Sequence, residues 1–583
     1  MSAVSSFQST TAIDVLDPDW EDKVLSSRVR RFFWFFGVAF SFIAAITSRF
    51  AMNVDGISYL DLGNAYLNHD WNAATNAYWS PSYAWLLAAA LRLCHASLYW
   101  ESTIAHGLNF IIFLASMAAF EIFLSELCHR DSIFAEQQIE PAPVWAVRIL
   151  GYSLFLYAGL VWISVGILTP DQCVATIMYL VAAVMLRLVR GNPGWRWYAV
   201  LGILLGVGYL TKAALFPLGL VSLLSTPFLG RRAGLDIGAR LSRGLLAACL
   251  FILVASPLVI ALSRAKMRFT FGDVGKLAYA GFVNGVPGAE SWQGQGHSGT
   301  PKHPVRKLAA DPSVYEFASP VGGTYPPWYD ASYWLDGVKV RVDFRGQLRA
   351  LASSIRAYVS CLEEQAGFIV VLVGLFTLDS KKYRFWRELT ATWPSWIAAI
   401  AGLGLFSLVL VETRYVASFL VIAAVSFLGA IRLVPTLRTR RLLMGLSATV
   451  AAFSLISVAA FITPNLYSSL FRPRNVQWEV AQALGPYGIR PGDGLATIVD
   501  HRLGDYWAHL AHVKIIEDIP FGDMAKLASL TSESRARLIR TLQKPGAKGL
   551  ITTPAPPPGT GFRWIRLGNT DYFIFPLDQE AQP

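Results

Sequence analysis

The chain has 583 residues, of which 54% are hydrophobic and only 15% charged. A soluble globular protein of this size carries more charge, so the composition points to many membrane spans. The formal net charge of +11 does not indicate a nucleic-acid partner, because the basic residues lie in short turns between apolar runs, the pattern of cytoplasmic loops.

Residues 1–30 form a polar tail ending in Arg28, Arg30 and Arg31, read as cytoplasmic. It lacks the apolar core and small-residue cleavage site of a removable signal peptide. Apolar segments follow near 31–50, 82–98, 104–127, 145–168, 172–186, 196–210, 213–228, 244–263, 365–378, 392–411, 415–431 and 442–462. At about 20 apolar residues per crossing they predict an α-helical polytopic protein of about 11–13 spans. Basic clusters (Arg187, Arg190, Arg196; Arg231, Arg232, Arg240, Arg243; Lys381, Lys382, Arg384, Arg387; Arg432, Arg438, Arg440, Arg441) mark the cytoplasmic turns. The parity does not close, and the short segment 82–98, which contains Arg92 and His95, is the suspect.

The domain division is a membrane module over 31–462, with external loops at 51–81 and 264–361, and a small extracytoplasmic α/β domain over 463–583. In that domain helices are expected at 476–484, 506–511 and 532–542, and strands at 494–499, 513–516, 549–552 and 572–575. It has no GxGxxG or P-loop, and the chain shows no repeat of fixed period. Cys94, Cys128, Cys173, Cys249 and Cys361 are scattered and read as small apolar fillers.

The stretch with most chemistry is Asn53-Val-Asp55-Gly-Ile-Ser-Tyr59-Leu-Asp61, directly after the first span. A carboxylate held near a membrane surface is costly and usually functional; the bland alternative is a solvated loop acid. Asp61 either joins it or caps a short helix. Beyond a polar loop lies Tyr78-Trp79-Ser80-Pro81-Ser82-Tyr83. Thr169-Pro170-Asp171 is ordinary helix-start chemistry, yet the charge rule puts Asp171 on the side of Asp55. Lys212, at a hairpin, either snorkels or binds phosphate. Glu412 and Arg414 either lock two helices together or offer Arg414 to a phosphate. Arg268 and Lys276 open the long loop against the positive-inside trend and suit an anionic headgroup. Trp292, Trp328, Tyr329 and Trp334 either stack on sugars or form the loop's own core.

A carboxylate beyond the first span, a loop, then an aromatic-Pro-x-Tyr helix start resembles the GT-C glycosyltransferases, the group that includes protein mannosyltransferases and aminoarabinose transferases. The resemblance covers most of residues 31–430. It implies a multi-pass enzyme of a bacterial-type inner membrane, with its site and C-terminal domain extracytoplasmic. The expected reaction is inverting transfer of a sugar from a polyprenyl-phosphate carrier to a glycan, lipid or protein acceptor. Asp55 is then the general base, with Asp61, Asp171 and Glu412 as supporting acids. Lys212, Arg268, Lys276 and Arg414 bind the carrier phosphate, and Tyr59, Trp79, Tyr83, Trp328 and Trp334 contact sugar or acceptor. Asp55 and Asp171 are the pair that would hold a divalent cation, magnesium or manganese, though nothing in their spacing demands one. In one respect the chain departs from the pattern: relatives that transfer aminoarabinose often have Lys-Pro-Pro where this chain has Trp79-Ser80-Pro81-Ser82. Two other readings stay open: a lipid or glycan transporter or flippase, and a non-catalytic envelope assembly protein. Transporters of that kind carry repeated halves and mid-membrane charges, neither of which is visible here.

Overall fold

A computed structural model describes residue 17 and residues 19–129, 140–190, 194–231, 234–317, 320–379, 382–500 and 505–577. The tail through residue 16, residues 578–583, Arg232, Lys381 and the side chains of Arg190, Lys382 and Arg384 lie outside the described part.

Each apolar segment is helical. The first helix, Lys23–Thr47, begins at Asp22, whose carboxylate accepts the Leu25 N–H at 2.8 Å and so satisfies one of the orphan donors at the helix start. Its 25 residues reach about 37 Å, enough for a hydrocarbon core of about 30 Å. Among the described residues seven helices are long and apolar enough to cross a membrane, or up to nine if each of two sharply bent helix pairs counts as one span. The chain is a multi-pass membrane protein. The count falls short of 11–13 because several apolar segments make short helices. Pro81–Leu93, within the segment that upset the parity, has 13 residues. It reaches only about 20 Å and packs on the Val54–Leu67 helix. Close packing elsewhere relies on small residues: a Cβ at Gly202 would collide with the Ala247 carbonyl, so Trp195–Thr211 and Ile237–Ala265 approach backbone to backbone.

The ends of the bundle differ. Arg187 lies over Trp197 and pairs with Glu126 at 3.4 Å, Arg432 pairs with Glu388 at 2.9 Å, and Arg440 lies 3.4 Å from Asp17. These arginine-rich turns sit at one end. Asp171, Lys212 and Arg414 sit at the other ends of the same helices.

The non-membrane regions join at that second end. The C-terminal helices and strands fall within a few residues of expectation. The sheet, however, has seven strands in the spatial order Arg306–Ala310, Ser313–Glu316, Lys514–Asp518, Gly494–Ile498, Ala547–Thr552, Phe573–Pro576, Ile565–Arg566. The first two come from the 264–361 loop, through antiparallel pairing of Tyr315 with Asp518 and Glu316 with Glu517. The three central strands are parallel. Alternating side chains then build two layers: Leu495, Ile515, Ile551 and Ile574 pack with Trp334 and Trp507 on one face, and Ala496, Ile498, Leu550 and Phe575 with Leu538 and Leu542 on the other. All five cysteines are free thiols.

Candidate active site

Four charged side chains meet at the sheet-bearing end of the bundle, each delivered by a helix terminus. Asp55 lies in the first turn of Val54–Leu67, where the helix dipole favours an anion. Asp171 starts Asp171–Arg190 after Pro170. Lys212 caps the C-terminus of Trp195–Thr211, and Arg414 is in the first turn of Thr413–Ala430. One amide fixes the two acids relative to each other. Asn53 accepts the Leu168 N–H at 2.9 Å and donates to the Leu168 carbonyl at 3.3 Å, satisfying backbone groups of a non-helical stretch. Asn109 donates to the carbonyls of Val165 and Ile167, each at 3.0 Å, and secures the rest of that turn.

Lys212 Nζ lies 2.5 Å from Asp171 Oδ1 and 3.6 Å from the centre of the Tyr415 ring. Arg414 Nη1 lies 2.9 Å from Asp55 Oδ2 and 3.8 Å from Asp171 Oδ2, so one guanidinium spans both carboxylates. Arg414 Nη2 also donates to the Tyr415 hydroxyl at 3.3 Å. Trp328, from the long loop, donates its indole N–H to Asp55 Oδ1 at 3.3 Å. The Asp171 side chain is 3% exposed, whereas Lys212 and Arg414 are 21% and 23% exposed. The acids are buried and the cations are partly exposed. Tyr78 completes the rim: burial and then the Asp55 charge push its phenol up to about 12. Trp79 and Trp328 are half-buried, with ring centres 6.3 Å apart.

The other candidates divide. Asp61 is six residues past Asp55 on a helix of 3.6 residues per turn and points elsewhere. It neither joins the charged cluster nor caps the helix; it accepts from Thr324 and contacts His509. Glu412 is exposed and stands outside the cluster. Arg268 pairs with Asp273. Burial first and then the neighbouring Arg268 charge lower the Lys276 ammonium below its usual range. That basic stretch packs beside the cluster, with Asp273 N–H donating to the Ala77 carbonyl at 2.8 Å, but it makes no ion pair with Asp55 or Asp171. Tyr59, Tyr83 and Trp334 are buried, and two are bound internally: Tyr83 OH to Asn109 and Trp334 Nε1 to the Pro326 carbonyl. Trp292 and Tyr329 are likewise buried. These aromatics are core, whereas Trp79 and Trp328 are half-buried. Sequence reasoning missed Tyr78 and Tyr415, although each adjoins a residue it singled out, and it missed Glu101 and His509, which carried no local signal.

Among the described residues no group of three or more His, Cys, Asp or Glu side chains is placed to hold a metal ion. Asp55 and Asp171 are bridged by Arg414, and Lys212 occupies the remaining side of Asp171. In this arrangement both carboxylates are paired with cationic side chains.

An apolar groove of about 780 Å³ runs between Leu215–Ser225 and Ile237–Ala265, lined by Phe216, Leu220, Leu224, Leu245, Ile252 and Phe269 among others. Phe216, one of its lining residues, follows Lys212 closely in sequence and stacks on Phe271 with ring centres 4.6 Å apart.

No family model matches the chain, and no curated protein matches it. Among solved structures it is similar to ArnT from Cupriavidus metallidurans bound to undecaprenyl phosphate, at 13% identity over 95% of this chain and 97% of that one, with a TM-score of 0.39. It is also similar to the Archaeoglobus fulgidus oligosaccharyltransferase in the apo form, at 14% identity over 91% of this chain and 70% of that one, with a TM-score of 0.45. A third similar structure is the Archaeoglobus fulgidus oligosaccharyltransferase AglB with an inhibitory peptide and a dolichol-phosphate, at 13% identity over 88% and 69%, with a TM-score of 0.42. Identities and TM-scores this low carry no chemistry across, and the site stands on its own residues.

Proposed function

We propose that this chain is a membrane glycosyltransferase that moves a sugar from a polyprenyl-phosphate carrier to an acceptor hydroxyl with inversion. The observation that carries the reading is the convergence of Asp55, Asp171, Lys212 and Arg414 at one end of the bundle, beside half-buried tryptophans. The groove takes the prenyl chain, and the two partly exposed cations take its phosphate. Trp79 and Trp328 flank the sugar.

In the free protein Asp55 is tied to Arg414. A phosphate can accept two parallel bonds from a guanidinium, whereas Asp55 accepts one from Arg414. Carrier binding draws Arg414 off Asp55 and frees a carboxylate oxygen beside the sugar. The acceptor oxygen attacks the anomeric carbon as its proton passes to Asp55. The bond from that carbon to the phosphate oxygen breaks, and the polyprenyl phosphate leaves with its negative charge held by Arg414 and Lys212. Asp171 keeps Lys212 oriented. Since the arginine-rich turns mark the cytoplasmic face, the site and the sheet domain belong to the extracytoplasmic side, and protease supplied only from the cytoplasm should spare residues 264–361 and 465–583.

The direct test is protein reconstituted in liposomes with polyprenyl-phosphate hexoses and pentoses and mixed acceptors, followed by binding of labelled polyprenyl phosphate. The expected result is saturable carrier binding and product formation. Wild-type protein that neither binds the carrier nor forms product would sink the reading.

A further inference from the structure

The best-defined polar cluster outside the charged site is buried where the sheet domain meets the helical body. His509, on the Tyr506–Leu510 helix, is 4% exposed. Its Nδ1 lies 2.7 Å from Asp61 Oδ1, and its Nε2 lies 3.0 Å from Glu101 Oε1, an ionic contact off the line of a directed hydrogen bond. Tyr506 donates its hydroxyl to Glu101 Oε1 at 3.0 Å and stacks on the imidazole. An imidazole between two carboxylates meets both as a donor only when protonated. Asp61 in turn accepts the Thr324 N–H at 2.7 Å and the Thr324 hydroxyl at 3.0 Å. Thr324 opens the turn Tyr325-Pro326-Pro327-Trp328-Tyr329, and its carbonyl accepts from the Ile515 N–H of the sheet at 3.1 Å. The far end of the turn is held by Asn76 on the Tyr329 carbonyl at 2.7 Å and by Trp79 on the Trp328 carbonyl at 3.1 Å. The residue carried between these anchors is Trp328, which contacts Asp55.

We infer that His509 is a positioning residue for the site: by fixing the Asp61 carboxylate it locks Thr324, and with it the sheet domain, to the helix that carries Asp55, and so keeps Trp328 against that carboxylate. Its catalytic consequence rests on the proposed transferase reading; its effect on the turn does not. The charged groups facing His509 are Asp61 and Glu101, with His512 near enough to act on Glu101. Burial disfavours the imidazolium, but the two carboxylates overcome it and hold His509 well above the usual histidine range. Below the ordinary histidine value the imidazolium meets both carboxylates; as pH rises through the raised one it keeps a single N–H and donates to Asp61 or to Glu101 but not to both.

The experiment compares the intact protein in nanodiscs with His509→Gln and, as a second and milder variant, Thr324→Val. Amide hydrogen exchange is followed over residues 324–329, and transfer is assayed with a polyprenyl-phosphate sugar. His509→Gln should deprotect the Thr324 amide and lower kcat by about 10- to 100-fold, the scale of a misplacement near 1 Å, with unchanged carrier KM. Thr324→Val should move both in the same direction by less. Unchanged exchange over 324–329 in a folded His509→Gln protein overturns the inference whatever the assay shows. Deprotection with wild-type kcat overturns the catalytic part. A wild type without transferase activity defeats the function reading alone, since exchange still decides whether His509 holds the turn.

Discussion

Asp55→Asn keeps the size of the side chain and an acceptor for the Trp328 indole, but removes the charge and the base. Two unit charges 2.9 Å apart attract by about 6 kcal/mol at an effective dielectric of 20, and desolvation of both partners cancels much of this. Arg414 retains Asp171 at 3.8 Å, so the guanidinium is not left uncompensated. The net stability cost should be about 1–2 kcal/mol, below the 3–5 kcal/mol typical of a stranded buried charge. Turnover should fall much further, by about 10²–10⁴-fold for the loss of a general base, which is about 3–5 kcal/mol of barrier. The affinity for polyprenyl phosphate moves in the opposite sense. In the free wild type Asp55 competes with phosphate for Arg414, so the variant should bind the carrier as well as wild type or more tightly. Single-turnover transfer in liposomes and equilibrium binding of labelled polyprenyl phosphate measure the two quantities separately. Near-normal turnover would falsify the base assignment and turn attention to Asp171. Turnover and carrier affinity falling together would show that Asp55 serves only to place Arg414.

Arg414→Ala removes a charge-assisted contact to phosphate, worth about 1.5–3 kcal/mol, and should weaken carrier binding by about 10- to 100-fold in the same equilibrium assay. It also leaves Asp55 without its ionic partner, so a melting curve should accompany it. The tryptophans should separate: Trp334→Ala, at a 2% exposed core position, should destabilise the protein by about 3–5 kcal/mol, while Trp328→Ala should spare most of the stability and impair transfer. Equal loss of stability in both would remove Trp328 from the site. Glu517 is buried in the sheet opposite Glu316 with neither carboxylate oxygen hydrogen-bonded, and burial first and then the Glu316 charge push it up to about 9. Its folded value lies above its unfolded one, so stability is full below the ordinary glutamate range and is lost as pH rises toward 9. Carrying that group at pH 7 costs about 3 kcal/mol. Glu517→Gln should therefore raise the melting temperature at neutral pH and flatten its fall between pH 5 and 9; an unchanged profile would show that Glu517 does not titrate in this window.

Much of this protein is written locally. Runs of apolar residues become helices because the hydrocarbon leaves a backbone no other partner for its N–H and C=O groups, and the breaks between runs are visible as charge, Pro or Gly. Asp55, Asp171, Lys212 and Arg414 were legible for that reason: each lies where an apolar run starts or stops, three at helix N-termini and Lys212 at a C-terminus, and hydrophobic patterning with the charge rule is enough to bring those ends to one level. Alternating strands and helices after residue 463 were legible by their own periodicity. What a residue touches across the fold was not. Asp61 and Asp55 look alike in sequence, but 240° of helical turn sends one to His509, 448 residues away, and the other to Arg414. Trp328 and Trp334 share a loop and a composition, yet one rests on the acid and the other is sealed in the core. Two strands of the long loop could be assigned to the C-terminal sheet only once Glu316 was seen beside Glu517. A hydrogen bond or a strand pairing between distant residues depends on where both ends are carried by the intervening chain, and a short polar residue bears no mark of its partner; the tertiary structure alone decided those pairs.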